Sequence, residues 1–311
     1  MADSEYGGFH VIQKSANDPY LDKVSEAYAD SPADWAKVLG GLLHFQWGVY
    51  SDPASPRPVS LDEAGSRHLD RQLQLAGLTG SGRPRMDRVL DLGCGWGATL
   101  HHLARAFPEC RRVEGVNISR RQVEYATAYL DRQGVGERTS LYLCDAGDIQ
   151  ELPDPARPYD LVVLRGAVTH FPHRLYETCA AALAERVRPG GLLLISETLY
   201  SEEFVASEPP LPYEDDHLAI GYRKTPRYFT EVLRQSGFEV RDMRELPSRS
   251  EAALWLLELR SNLDAHFPEG APPPMEAIRD VSSALSVAIL EGRVTVYSVI
   301  AARQEDGASS G

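Results

Sequence analysis

The run VLDLGCGWGATL, residues 89–100, restricts what this chain can fold into more than any other segment. An apolar strand ends at Asp91, turns through Gly93, Gly95 and Gly97, and passes directly into a helix. Glycine suits such a turn because the chain must bend sharply while backbone amides approach a ligand, and a Cβ would obstruct both. Read alone, the run is ambiguous. With Ala98 it satisfies G-x-G-x-x-A, the dinucleotide fingerprint, and it also fits an ordinary tight turn with no ligand.

The surrounding pattern narrows the choice of fold. From Arg88 onward, short apolar runs alternate with amphipathic stretches: RVLDL then TLHHLARAF, RVEGVNI then RRQVEYATAYLDRQ, TSLYLC, YDLVVL then RLYETCAAALAERV, and GLLLISE. That alternation predicts an α/β fold in which a largely parallel sheet carries helices on both faces. Residues 1–60 are aromatic-rich, with apolar positions at Val24, Tyr28, Trp35, Val38 and Leu39 and turn signals at SPAD and SDPASPRP, and read as an N-terminal helical cap or lid. Ser60 and Glu63 are spaced as a capping box that opens a helix to about Leu78. Residues 61–303 form the main domain, with a helical insertion at about 246–291 before the last strand, RVTVYSVIAAR. The residues at 304–311 have the composition of a disordered tail.

Composition excludes several function classes. A net charge of -13 over 311 residues leaves no basic stripe for a phosphate backbone, so nucleic acid is not the expected partner. No stretch reaches the roughly 18 apolar residues of a membrane span, and the start MADSEYGGFH lacks a basic and apolar leader. Cys94, Cys110, Cys144 and Cys179 stand apart from one another, with neither C-x-x-C nor metal spacing. The expectation is a cytoplasmic protein without a clustered metal site. A single Mg ion held by Glu214, Asp215 and Asp216 remains open at this stage.

The segment Asp91–Gly97 resembles motif I of the class I S-adenosylmethionine (SAM)-dependent methyltransferases. Further segments match that family in order: VEGVNISRRQVEYA as the next strand and helix, CDAGDIQELP as the following loop, YDLVVLRGAVTHF as motif IV, and VRPGGLLLISE as the turn into the fifth sheet strand. TPRYFTEVLRQSGFEV matches more loosely. The resemblance implies a Rossmann-like sheet and SAM as cofactor. It implies that Gly93, Gly95 and Gly97 clear space for the amino-acid end of SAM, which Asp91 orients. Asn117 stands where most of the superfamily carries an acid for the ribose. The form GVNIS-x-x-Q is similar to the subgroup of cyclopropane-fatty-acid synthases, sterol and tocopherol methyltransferases and many natural-product methyltransferases, which assigns Asn117, Ile118 and Gln122 to the ribose side. Asp145, with the amide of Ala146, reads adenine, a carboxylate accepting from the exocyclic amine. Arg165, closing motif IV's strand, completes the cofactor set. Outside a ligand role, Asn117 is a helix cap and Asp145 a turn residue.

Methyl transfer from a sulfonium is an in-line displacement that needs positioning and dryness, and a base only where the nucleophile arrives protonated. His170, just past motif IV's strand, is the candidate base, with a structural histidine as the alternative. The aromatic lead-in LLHFQWGVYSD resembles a segment that covers the cofactor in related enzymes. It offers His44 and Trp47 to the acceptor and Tyr50 to the SAM carboxylate, with core packing as the other use. Trp255 and its neighbours Leu256, Leu257 and Leu259 suit an acceptor pocket, a core, or a homodimer or higher homo-oligomer contact. Carbon methylators of isoprenoids in this subgroup carry a glutamate near the position of Gly166, for which Glu197, Asp215 or Asp216 would have to substitute. The function expected is methylation of a small molecule, such as a secondary metabolite, on oxygen, nitrogen or activated carbon. The alternatives are carbon methylation of an isoprenoid or lipid, coupled or not to cyclisation, a non-catalytic SAM-binding module, and a nicotinamide oxidoreductase.

Overall fold

The computed structural model describes residues 8–12, 19–28, 30–51, 59–210 and 212–305. The tail at 306–311 and most of the SDPASPRP turn lie outside them. The N-terminal part contributes a short strand β1 (His10–Val11) and helices α1 (Pro19–Ala27) and α2 (Pro32–Leu39), followed by α3 (Leu61–Leu75). Next come β2 (Arg88–Leu92), α4 (Ala98–Ala106), β3 (Arg112–Asn117), α5 (Arg120–Arg132), β4 (Thr139–Leu143), β5 (Tyr159–Arg165), α6 (His173–Arg186) and β6 (Val187–Tyr200). The remainder is α7 (Glu202–Ser207), α8 (Pro226–Gln235), β7 (Phe238–Glu245), α9 (Arg249–His266), α10 (Pro273–Leu290) and β8 (Val294–Arg303).

The eight strands make one sheet in the order β1-β4-β3-β2-β5-β6-β8-β7. All pairs are parallel except those that β8 makes with β6 and β7. β2 is buried along its whole length, as a central parallel strand covered on both faces must be. Leu69 and Leu73 of α3, Leu100 and Leu103 of α4, and Val123 of α5 cover one face. Tyr176, Cys179 and Leu183 of α6 and Phe229 and Val232 of α8 cover the other. A third cluster joins Trp35, Val38 and Leu39 of α2 to Trp255, Leu256 and Leu259 of α9 and Met275 and Ile278 of α10.

Two caps show why helices start where they do. Ser60 accepts from the amide of Glu63 at the start of α3. Ser248 and Glu251 close a reciprocal capping box at α9, and the same Glu251 carboxylate accepts from the amides of Tyr50 and Ser51, tying the lead-in segment to the insertion. The topology locates the site. β2 pairs with β3 on one side and β5 on the other, so the strand order reverses there, and a crevice opens beyond their carboxyl ends.

Candidate active site

A cavity of about 990 Å³ lies in that crevice. Gly93 and Cys94 both donate their amides to the carbonyl of Val116, pinning the glycine turn to the end of β3. Gly93, Gly95 and Gly97 all have left-handed backbone, at φ 85°, 52° and 93°, where other residues are strained. They do different work. A Cβ on Gly95 would have only the Gln122 amide nitrogen near it, 4.0 Å away, so this glycine leaves the cavity open. Gly97, read above as a ligand position, does not line the cavity. A Cβ there would lie 3.1 Å from that of Ala126, so it serves the packing of the glycine turn against α5.

Asp91, Asn117, Ile118, Gln122, Asp145, Ala146 and Arg165 all line this cavity, as do Gly93 and Gly95. Asn117 donates to Gln122 Oε1 at 2.8 Å and accepts from the Ser119 amide, so the two amide side chains form one wall. Asp145 caps the turn at 146–151 by accepting from the Gly147 amide at 2.6 Å, while Ala146 follows it in the wall. At the opposite end, Asp91 and Arg165 bring opposite charges into a buried wall. Burial pushes the Asp91 carboxyl up to about 7, with Arg165 pulling the other way, and its Oδ2 has no hydrogen-bond partner. Arg165 donates through one terminal nitrogen to His44 Nε2 at 3.0 Å, and its Nε is unpartnered. A guanidinium has only donors, so His44 Nε2 is the acceptor. Burial, reinforced by Arg165, holds His44 well below the ordinary imidazole range, and the ring is neutral. An unsatisfied carboxylate oxygen and guanidinium nitrogen in one wall suit a zwitterionic ligand end.

Beside this cavity lies a second, of about 830 Å³, lined by Trp47, Tyr200, Leu218, Ile220, Trp255, Leu256, Leu259, Ile278 and Leu285. Its lining contains no charged carboxylate or ammonium side chain. Tyr28, Phe45, Gln46, Gly166 and His170 line both cavities and so mark where they meet. His170 ends a short turn after β5 that Glu197 fixes by accepting the amides of Ala167, Val168 and Thr169. Lys224 donates to the Phe171 carbonyl on the far side of the same turn.

The lead-in residues separate. Trp47 and Trp255 face the second cavity, with Trp47 Nε1 donating to Thr198 at 3.1 Å. His44, expected on the acceptor side, sits instead in the first cavity because Arg165 draws its ring inward. Tyr50 reaches neither cavity: its hydroxyl donates to Glu258 at 2.8 Å, so it is turned toward α9. Leu257 is 48% exposed while Leu256 and Leu259 are buried, so the α9 stripe divides between surface and core. The acids weighed as substitutes for a glutamate near Gly166 are elsewhere. Glu197 is consumed by the turn amides, and Asp216 by Tyr20 and the amides of Ile220 and Gly221. Neither they nor Asp215 line either of these two cavities. Among the described residues, no group of His, Cys, Asp and Glu is arranged to hold a metal, and no helix is long and apolar enough to cross a membrane.

Sequence reasoning missed Tyr28 and Gln46 as site residues. Tyr28 follows the end of α1 and meets His170 across 142 positions; Gln46 binds the carbonyl of Arg165 across 119. Their only local signal was a polar group within an aromatic-rich segment.

A family profile described as mycolic acid cyclopropane synthetase matches residues 16–294. The O-methyltransferase cnsE of Penicillium expansum is 26% identical over 270 residues, spanning 83% of this chain and 87% of that protein. The 27-O-demethylrifamycin SV methyltransferase of Amycolatopsis mediterranei is 31% identical over 58% of this chain and 60% of its own length. Among solved structures, the cyclopropane synthase MmaA2 of Mycobacterium tuberculosis superposes with a TM-score of 0.73 at 20% identity, covering 91% of this chain and 98% of the other. That likeness is one of fold.

Proposed function

This chain belongs to the mycolic acid cyclopropane synthetase family, and from that premise we propose how its two cavities divide the work of methyl transfer. It is a SAM-dependent methyltransferase acting on small molecules. SAM, when bound, supplies an electrophilic methyl group on a sulfonium.

The first cavity fits that cofactor. Asp91 offers its unpartnered oxygen to the α-ammonium group, and Arg165, braced by His44, offers donors to the α-carboxylate. Gly93 and Gly95 leave room for the chain, Asn117 and Gln122 face the ribose, and Asp145 with Ala146 faces the adenine. The second cavity holds the acceptor, with Trp47 and Trp255 in its wall, and His170 stands where the two meet as the base that removes the acceptor's proton. The observation that carries this reading is the pairing of a cavity that bears Asp91, Arg165, Asn117, Gln122 and Asp145 with one that bears no charged group, through a shared set of residues that includes a single imidazole. The four cysteines, all buried and unpaired, support a reducing compartment, the cytoplasm.

Carbon methylation of a lipid or isoprenoid is the second reading. The apolar cavity and the family description favour it, and the lack of a carboxylate in the second cavity's lining disfavours it. Product analysis separates the two. Purified protein is incubated with methyl-labelled SAM and neutral hydrophobic acceptors bearing hydroxyl, amine or alkene groups, and the methylated atom is identified. Label on oxygen or nitrogen is expected, with turnover reduced by about 10²-fold or more in His170→Ala and SAM affinity unchanged. Label confined to carbon, or undiminished turnover in His170→Ala, would return His170 to a structural role.

A further inference from the structure

His170 does not meet the second cavity as a bare base. Its Nδ1 lies 3.0 Å from the carbonyl of Ala219, and a carbonyl only accepts, so the ring proton resides on Nδ1. The basic nitrogen is therefore Nε2, and it is already covered: the Tyr28 hydroxyl donates to it at 3.1 Å. A proton leaving an acceptor can reach Nε2 through Tyr28, whose oxygen keeps lone pairs for a second partner. Gln46 adds a fixed acceptor to the wall that the two cavities share. Its Nε2 donates to the Arg165 carbonyl, which orients the amide and leaves Oε1 buried without a partner. Gly166 makes this possible, since a Cβ there would lie 3.2 Å from the Gln46 amide nitrogen. Thus two neutral acceptor oxygens, Tyr28 Oη and Gln46 Oε1, stand where the cavities meet.

Resting on the two-cavity reading above, we propose that Tyr28 is a catalytic residue: its Oη accepts a hydrogen bond from the hydroxyl of an uncharged, apolar-bodied acceptor, receives that proton, and passes its own to His170. The step balances. The acceptor oxygen forms the new O–C bond with a lone pair, and the electrons of the breaking C–S bond stay on sulfur. The hydroxyl proton moves to Tyr28 Oη as the Tyr28 proton moves to His170 Nε2. The positive charge leaves the sulfonium and appears on the imidazolium, so the buried site carries the same charge before and after. The surroundings agree with a relay: burial raises Tyr28, which keeps it protonated at rest, and lowers His170, which keeps its ring neutral and ready to accept. Lys224 and Asp216 are the charged groups acting on His170, and Glu197 acts on Tyr28.

The test uses the full chain saturated with S-adenosylhomocysteine and two probes, 4-octylphenol and its methyl ether 4-octylanisole, with calorimetric titration as readout. The phenol should bind at least about tenfold tighter than the ether, about 1.4 kcal/mol. Tyr28→Phe should sharply reduce that preference while S-adenosylhomocysteine still binds, which also shows the variant is folded. With labelled SAM in single turnover, Tyr28→Phe and His170→Ala should each slow transfer to 4-octylphenol by about 10²-fold, and the double variant should be no slower than either, as for groups acting as one unit. A phenol preference retained in Tyr28→Phe, additive losses, or bound phenol that takes no label overturns the relay. Binding of S-adenosylhomocysteine with neither probe bound overturns the two-cavity reading itself.

Discussion

Asp91 and Arg165 share a wall but bear different costs of burial. The guanidinium, lowered by burial to about 10, is still a cation at neutral pH, whereas the Asp91 carboxyl, raised to about 7, is divided between its two forms. An ammonium group docking on Asp91 favours the carboxylate, so binding pulls its pKa back down. The sign follows: SAM affinity rises with pH up to and through about 7, falls by at most tenfold per unit below it, and binding near pH 7 releases a proton. Calorimetry in phosphate and in Tris tests this, because the released proton makes the apparent heat depend on the buffer. Equal heats in both buffers would mean that Asp91 is ionised before the ligand arrives. At this scale the sequence was legible where cavity-lining residues crowd into one local motif, as for Gly93, Gly95, Asn117 and Gln122 along the glycine turn, β3 and α5. It was opaque for Tyr28 and Gln46, which reach the site through long-range contacts, and for Tyr50, whose hydroxyl found Glu258 on a helix remote in sequence.

Among the elements, α9 does more than fill an insertion. Its first turn holds Glu251, which closes the capping box with Ser248 and accepts the amides of Tyr50 and Ser51 and the Ser51 hydroxyl. Glu251→Ala removes the reciprocal half of the capping box and leaves the lead-in segment without its anchor, and should cost about 2 kcal/mol of stability. Thermal unfolding measures the loss. S-adenosylhomocysteine affinity should stay near wild type, since Glu251 lines neither cavity; a large loss of affinity with no loss of stability would mean that the lead-in segment closes over the cofactor through α9. The insertion was readable from sequence as helical from about residue 246, and the Ser248–Glu251 capping box fixes where its first helix starts. β1 was not readable, because two residues give no alternation and its parallel pairing with β4 is specified by a partner 132 positions away at His10 and Tyr142. Helix α7, within a polar, proline-rich stretch, was likewise hidden, its six residues starting at a Ser201 cap.

For the whole molecule, alternation of apolar runs and amphipathic stretches foretold helices on both faces of a sheet, and the described residues form that arrangement. Alternation carries no record of strand order, and it left open that β8 inserts antiparallel between β6 and β7. Nor did it show that the N-terminal helices and the late insertion meet over the sheet's carboxyl edge, which builds the second cavity against the glycine-turn cavity. The central claim is that the glycine-turn cavity is the cofactor's seat. It is tested most directly by calorimetric titration of wild type, Gly95→Val and Asp145→Ala with S-adenosylhomocysteine, with NADH in parallel. Wild type should bind S-adenosylhomocysteine in the micromolar range, each variant should lose at least about 10-fold, or 1.4 kcal/mol, and NADH should not bind. Unchanged affinity in both variants, or NADH bound in place of S-adenosylhomocysteine, would contradict it.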